Sequence, residues 1–122
     1  MTMERQELGK TGENLAAAEL ERCGYAVLER RYRTRHGEID IVAEDGDAIV
    51  FVEVKVRATA ERGTAAEAVT GQKQRRLIAM ATDYLSRHQL TLRRCRFDVV
   101  AIDGTGEARR LTVYRGAFDA TR

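Results

Sequence analysis

The sequence predicts an α/β protein on the α+β boundary, with elements in the order αβββαββ and a central mixed sheet flanked by helices. Two strand-like runs, residues 37–43 and 49–57, are separated by Glu44-Asp45-Gly46-Asp47-Ala48. The Asp-Gly step there supplies the positive φ that a tight strand reversal needs, so the runs are expected to be antiparallel neighbours. A longer stretch, residues 71–88, carries Leu77, Met80, Ala81, Tyr84 and Leu85 at helical spacing. Residues 94–103 then alternate around Phe97, Val99 and Ala101. A helix between the third and fourth strands permits a crossover, so those two are expected to run parallel.

The remaining elements follow in order. A first helix is expected from about residue 11 to 23, where Ala16, Leu20 and Cys23 recur every three or four positions and Gly24 stands as a C-terminal stop. Its apolar stripe is narrow and rich in alanine, which permits close packing on a sheet. Residues 25–32 read as the first strand, and an arginine-rich turn leads from it into the two strands above, completing a meander. Residues 58–63 lack periodicity and form a loop directly after Lys55 and Arg57. Residues 64–69 suit a short alanine-rich turn of helix. Gly104-Thr105-Gly106 is a turn, and residues 111–114 close the sheet. Repeats, linkers and low-complexity tracts are missing, as is proline.

A chain of 122 residues fits one domain, residues 1–122. With 43% hydrophobic, 33% charged and 6% aromatic residues it can bury a core beneath a heavily ionised surface. No apolar run approaches the roughly 18 residues that cross a bilayer, and the opening residues lack a signal-peptide core, so a cytoplasmic protein with no membrane partner is expected. Cys23 and Cys95 have neither close spacing nor companions, which argues against a disulfide framework or zinc site and suggests small core residues. A net charge of +2 is too mild to define a partner. Its distribution says more. Arg30, Arg31, Arg33, Arg35 and His36 precede the acidic strand, and Lys73, Arg75 and Arg76 crowd the start of the second helix. Each cluster is either a phosphate-contacting surface or a solvated face.

The chemistry is concentrated in the paired strands. Period-two alternation puts Glu38 and Asp40 on one face of the second strand, and Phe51, Glu53, Lys55 and Arg57 on one face of the third. Val52, Val54 and Val56 point the other way, where a helix can pack on them. Asp40, Glu53 and Lys55 can then gather at one end of the sheet. Magnesium takes oxygen ligands and retains several waters, so two carboxylates and a substrate phosphate complete its shell. Lys55 would orient the attacking water or neutralise charge on phosphorus. The competing reading is the wet side of a half-exposed sheet, against which Phe51 argues by sharing the acidic face. Glu38 is a secondary candidate, through water or a neighbouring side chain. Glu13 and Glu19 flank the first helix stripe, and Glu13 either leans towards the site or answers the helix macrodipole. Lys73 and Arg76, three apart, share a helix face. Asp98 reads as a structural acid, and neither His36 nor His88 is assigned catalysis. No Ser-His-Asp set or phosphate-cradling glycine loop competes.

Gly37-Glu38-Ile39-Asp40, the Asp-Gly turn and Phe51-Val52-Glu53-Val54-Lys55-Val56-Arg57 resemble the signature of the YraN-like family of small bacterial proteins. That family in turn resembles the restriction-endonuclease-like superfamily with its PD-(D/E)XK motif, and especially the archaeal Holliday-junction resolvases. The resemblance runs from Gly12-Glu13 through Arg96-Phe97-Asp98. It implies Asp40 as first metal-binding acid, Glu53 as second, Lys55 as the motif lysine, and Glu13 as the acid on the first helix. The implied activity is hydrolysis of phosphodiester bonds in DNA, including branched or structured DNA, with Mg²⁺ or Mn²⁺. Arg31, Arg33, Arg35, Arg57, Lys73 and Arg76 would contact the nucleic acid, and resolvase-like action implies a homodimer, since two symmetric cuts require two sites. The alternative is a non-catalytic nucleic-acid-binding protein that keeps the nuclease-like fold. Ile39 stands where the superfamily motif has proline, and Arg30-Arg31-Tyr32-Arg33 departs from the asparagine-containing version, but neither change removes a ligand.

Overall fold

In the computed structural model, which describes residues 3–120, the helix α1 (Met3–Arg22) leads into a meander of β1 (Ala26–Thr34), β2 (Gly37–Asp45) and β3 (Ala48–Arg57). A short 3-10 helix (Ala66–Ala68) precedes α2 (Gly71–Arg87), and β4 (Arg94–Asp103) and β5 (Arg110–Phe118) complete the chain around a second 3-10 turn (Gly106–Ala108). The result is an α+β fold in the expected order αβββαββ. Its sheet runs β1-β2-β3-β4-β5, antiparallel throughout except for the parallel β3–β4 pair. That pair runs parallel because α2 carries the chain from one end of the sheet back to the other.

Each face of the sheet holds its own core. On one, Ala16, Ala17 and Leu20 of α1 meet Ile41, Ala43, Val50, Val52, Val100 and Ile102, with Val54 and Val56 packed alongside. The small side chains allow the close approach expected of this helix. A Cβ on Gly12 would lie 2.6 Å from Val56 Cγ2, closer than two carbons can come. On the other face, Leu77, Met80, Ala81 and Tyr84 of α2 cover Ile39, Val42, Ile49, Phe51, Phe97, Val99 and Phe118. Tyr84 meets Tyr32 and Phe51 edge-on, with ring centroids 4.9 and 5.6 Å apart. With both faces covered, residues 48–52 are buried without alternation, as a central strand requires.

Several expectations change. The helix α1 begins at Met3 rather than near residue 11, because Glu4, Arg5, Gln6 and Glu7 favour helix without adding an apolar period. The strand β5 continues to Phe118, past the expected residue 114. Cys23 and Cys95 are exposed free thiols, not core residues, since one follows the last turn of α1 and the other precedes the buried part of β4. Strict alternation along β2 also fails at Asp40. Ile39 belongs to the core under α2, whereas Ile41 and Ala43 belong to the core under α1. In the β1–β2 register Arg31 stands opposite Asp40, between the Arg30↔Ile41 and Tyr32↔Ile39 pairs, and it has a left-handed φ of 53°. The backbone therefore turns about its own axis where the acidic residue sits.

Asp98 is the structural acid the sequence suggested. It is fully buried and accepts hydrogen bonds from Tyr25 Oη at 2.7 Å, Arg96 Nε at 2.9 Å and the Gly116 N–H at 3.0 Å. This group ties the end of α1 to β4 and β5, and burial beside Asp98 pushes the Tyr25 hydroxyl up to about 12. Among the described residues no helix is long and apolar enough to cross a membrane.

Candidate functional site

The β2–β3 ladder runs from Asp45↔Ala48 to Ile41↔Val52 and then stops. Continuing that register would set Asp40 across from Glu53. The strands part there instead, and Asp40 Oδ2 accepts the Val54 N–H at 2.8 Å, replacing a backbone carbonyl with a carboxylate. Glu53 and Lys55 follow on the α2 side of β3, with Lys55 Nζ 3.8 Å from Glu53 Oε2. Three ionisable groups from adjacent strands thus converge at the end of the sheet.

Both helices close on this point. Glu13 is buried near the middle of α1, so the macrodipole at a helix end does not explain it. Its carboxylate accepts from Arg31 Nε at 3.0 Å, with Arg30 Nη2 at 3.6 Å. From the other layer, Thr70 caps α2 by accepting the Lys73 N–H at 3.4 Å, which fixes the first turn and sets Lys73 beside Lys55.

Electrostatics in this cluster are strained in both signs. Burial and the neighbouring charge of Glu53 push the Asp40 carboxyl up from the ordinary range to about 8. The Val54 N–H opposes that shift, while a hydrogen bond with Glu53 and the charge of Glu13 add to it. The Lys73 ammonium is held below its usual range, first by its contact with Lys55, then by burial and the charge of Lys55 and Arg57, with Glu53 acting oppositely. Two carboxylates that resist joint ionisation and two ammonium groups that repel each other are arranged to accept outside charge: a cation on one side, an anion on the other.

A divalent cation fits this donor set. Asp40 and Glu53 offer hard oxygen ligands, and a cation would offset the burial and like-charge penalties that hold Asp40 protonated. Among the described residues no three His, Cys, Asp or Glu side chains stand ready as a complete ligand group. Water and substrate oxygens would fill the other positions, as is usual for Mg²⁺.

The other candidates divide. Arg31 spends its charge on Glu13 and so serves the site from within. Glu38 lies outside the carboxylate cluster, exposed and 3.6 Å from Arg33 Nε. Arg33, Arg35 and Arg76 are exposed around the β1–β2 turn, where the Arg76 side chain lies against Gly37. Gly37 is three residues along β2 from Asp40, about 10 Å, so these cations rim the site rather than enter it. Arg57 is half-buried, and its Nε has no hydrogen-bond partner among the described residues. The nearness of Lys73 to Lys55 escapes sequence reasoning, which puts Lys73 with Arg76 on a helix face that contacts nucleic acid. Its one local signal is Thr70, a good N-cap that marks residue 73 as first-turn.

The sequence segment that builds this site is shared widely. The profile described as "Uncharacterised protein family UPF0102" matches residues 12–102, from the close-packed Gly12 through the end of β4. A UPF0102 protein of Moorella thermoacetica is 48% identical over 97% of this chain and all of its own length. Another from Chloroflexus aurantiacus is 49% identical over 87% of both chains, and one from Myxococcus xanthus is 44% identical over 96% of this chain and 93% of its own. With a profile spanning every site residue and relatives matched nearly end to end, this chain belongs to the uncharacterised protein family UPF0102.

Proposed function

We propose that this protein is a divalent-metal-dependent nuclease that hydrolyses phosphodiester bonds in DNA. The observation that carries the reading is the paired carboxylates at the parting of β2 and β3, with Asp40 pushed up by burial and by Glu53, and an ammonium 3.8 Å from Glu53. The resemblance of residues 37–57 to the PD-(D/E)XK motif, carried by the same three residues, points the same way.

Asp40 and Glu53 would hold Mg²⁺ or Mn²⁺, which when bound supplies a Lewis acid that lowers the pKa of water and stabilises charge on phosphoryl oxygens. The chain's own residues do the rest. Asp40 must give up its proton on loading. Lys55 stands beside Glu53 to orient the attacking water and neutralise charge gathering on phosphorus. Lys73, already crowded by Lys55, gains most from an arriving phosphate, which relieves the repulsion between the two ammonium groups. Arg33, Arg35 and Arg76 supply the salt-sensitive, sequence-blind attraction that holds a DNA backbone. Val52, Val54 and Val56, packed against the α1 core, keep Glu53 and Lys55 at fixed spacing.

The test is cleavage of single-stranded, duplex and four-way-junction DNA with Mg²⁺, Mn²⁺ or EDTA by the wild type, Asp40→Asn and Lys55→Met. Metal-dependent cutting by the wild type alone is the expected result. Cutting retained by both variants points to a contaminant and overturns the assignment. DNA binding by all three with no cutting anywhere supports the non-catalytic binding protein instead.

A further inference from the structure

The α2 face of the sheet is unevenly covered. The helix lies chiefly over β1, β2 and β3, and the 3-10 turn at Ala66–Ala68 lies against β4, leaving an opening at Tyr114 beside the covered Val99 and Phe118. A cavity of about 180 Å³ lies at that opening, lined by Val69, Gln74, Val99, Tyr114, Ala117 and Phe118, among others. It adjoins the carboxylate site by two routes. Val99 is the register partner of Glu53 on one side and of Tyr114 on the other, so Glu53, Val99 and Tyr114 form one row across three strands. Along α2, Lys73 stands at Lys55 while the next residue, Gln74, lines the cavity.

From this we infer that the cavity receives one unstacked nucleobase beside the phosphate held at Lys55 and Lys73, so that the substrate presents an unpaired nucleotide at the cut. The inference rests on the nuclease reading and adds a base site to it.

Size and chemistry select this occupant. About 150 Å³ is enough to take up one benzene ring, so the cavity suits a single flat heterocycle rather than a stacked pair. No lining residue is charged, which makes it a poor place for the phosphate itself. Tyr114 is 43% exposed, an unusually accessible large ring that offers a stacking surface. The Gln74 amide is fixed by donating from Nε2 to the Val69 carbonyl at 3.2 Å, which turns its oxygen into a positioned acceptor for a base edge. Neighbouring strands are about 4.8 Å apart, so Tyr114 lies about 10 Å across the row from Glu53, within reach of a nucleotide extended from its phosphate. A base in an intact duplex cannot make that excursion without leaving its stack.

The experiment uses the full wild-type chain in EDTA, where binding is read without cleavage, and oligonucleotides carrying one 2-aminopurine either unpaired in a gap or paired within a duplex. Expected is a change in emission on binding only for the unpaired probe. Tyr114→Ala and Ala117→Trp, one removing the stacking ring and one filling the cavity, should each weaken unpaired-probe binding by roughly 5- to 100-fold while leaving duplex binding within about twofold. Equal loss for both probes, or no loss for either variant, overturns the base site. If cleavage nonetheless requires Asp40, the nuclease reading survives that failure. If the wild type binds neither probe, both fall.

Discussion

The raised Asp40 carboxyl makes a prediction that needs no substrate. An unfolded aspartate loses its proton near pH 4, whereas folded Asp40 keeps it to about pH 8. The folded state therefore binds the proton more tightly, and this group's contribution to stability is fully present below pH 4 and lost as pH rises through 8. Between those values the slope is about 1.4 kcal/mol per pH unit. From pH 5 to pH 7 that amounts to about 3 kcal/mol at most, and to about 1–3 kcal/mol once water and side-chain relaxation are allowed for. Asp40→Asn cannot ionise and can still accept the Val54 N–H. Subtracting its urea-unfolding free energy from that of the wild type at each pH isolates the Asp40–Glu53 pair, because the more distant titrating groups behave alike in both. The difference should fall with pH between 5 and 8, leaving Asp40→Asn the more stable protein at pH 8. Adding Mn²⁺ at pH 8 should restore the wild type, by about 2.7 kcal/mol at a hundredfold excess over its dissociation constant, and leave the variant unmoved. Parallel curves, or a variant less stable than the wild type at pH 8, would refute the account of Asp40 as a carboxyl raised by burial and by Glu53.

Two further outcomes follow from the packing. Gly12→Ala should cost about 1–3 kcal/mol in unfolding free energy, because its Cβ would meet Val56 Cγ2 at 2.6 Å and α1 must move off the sheet. Asp98→Ala should cost about 1–3 kcal/mol by chemical denaturation, since the Tyr25 hydroxyl and the Gly116 N–H lose their acceptor, while Arg96 keeps the Tyr25 oxygen at 2.9 Å. A variant within less than about 1 kcal/mol of wild type would mean that Asp98 does not hold this group together, Arg96 being kept by Asp45, 3.0 Å away.

The order of elements, the β2–β3 turn and the parallel crossing could be read from the sequence because each rests on local signals: an Asp-Gly step, helical spacing, and a helix long enough to carry the chain back. The trio Asp40, Glu53 and Lys55 was legible for the same reason, since two sit two apart on one strand and the third lies just across a hairpin. Glu38 was misgrouped with Asp40 because alternation assumes an unbroken strand, and the left-handed Arg31 across the ladder breaks it. Cys23 and Cys95 were misjudged because residue type alone does not tell an element's end from its middle. Lys73 beside Lys55, Glu13 held by Arg31, and the opening at Tyr114 were decided by how the two helices lie on the sheet. Those are contacts between segments remote in the chain, created when both faces of the sheet are buried, and no local pattern of residues encodes them.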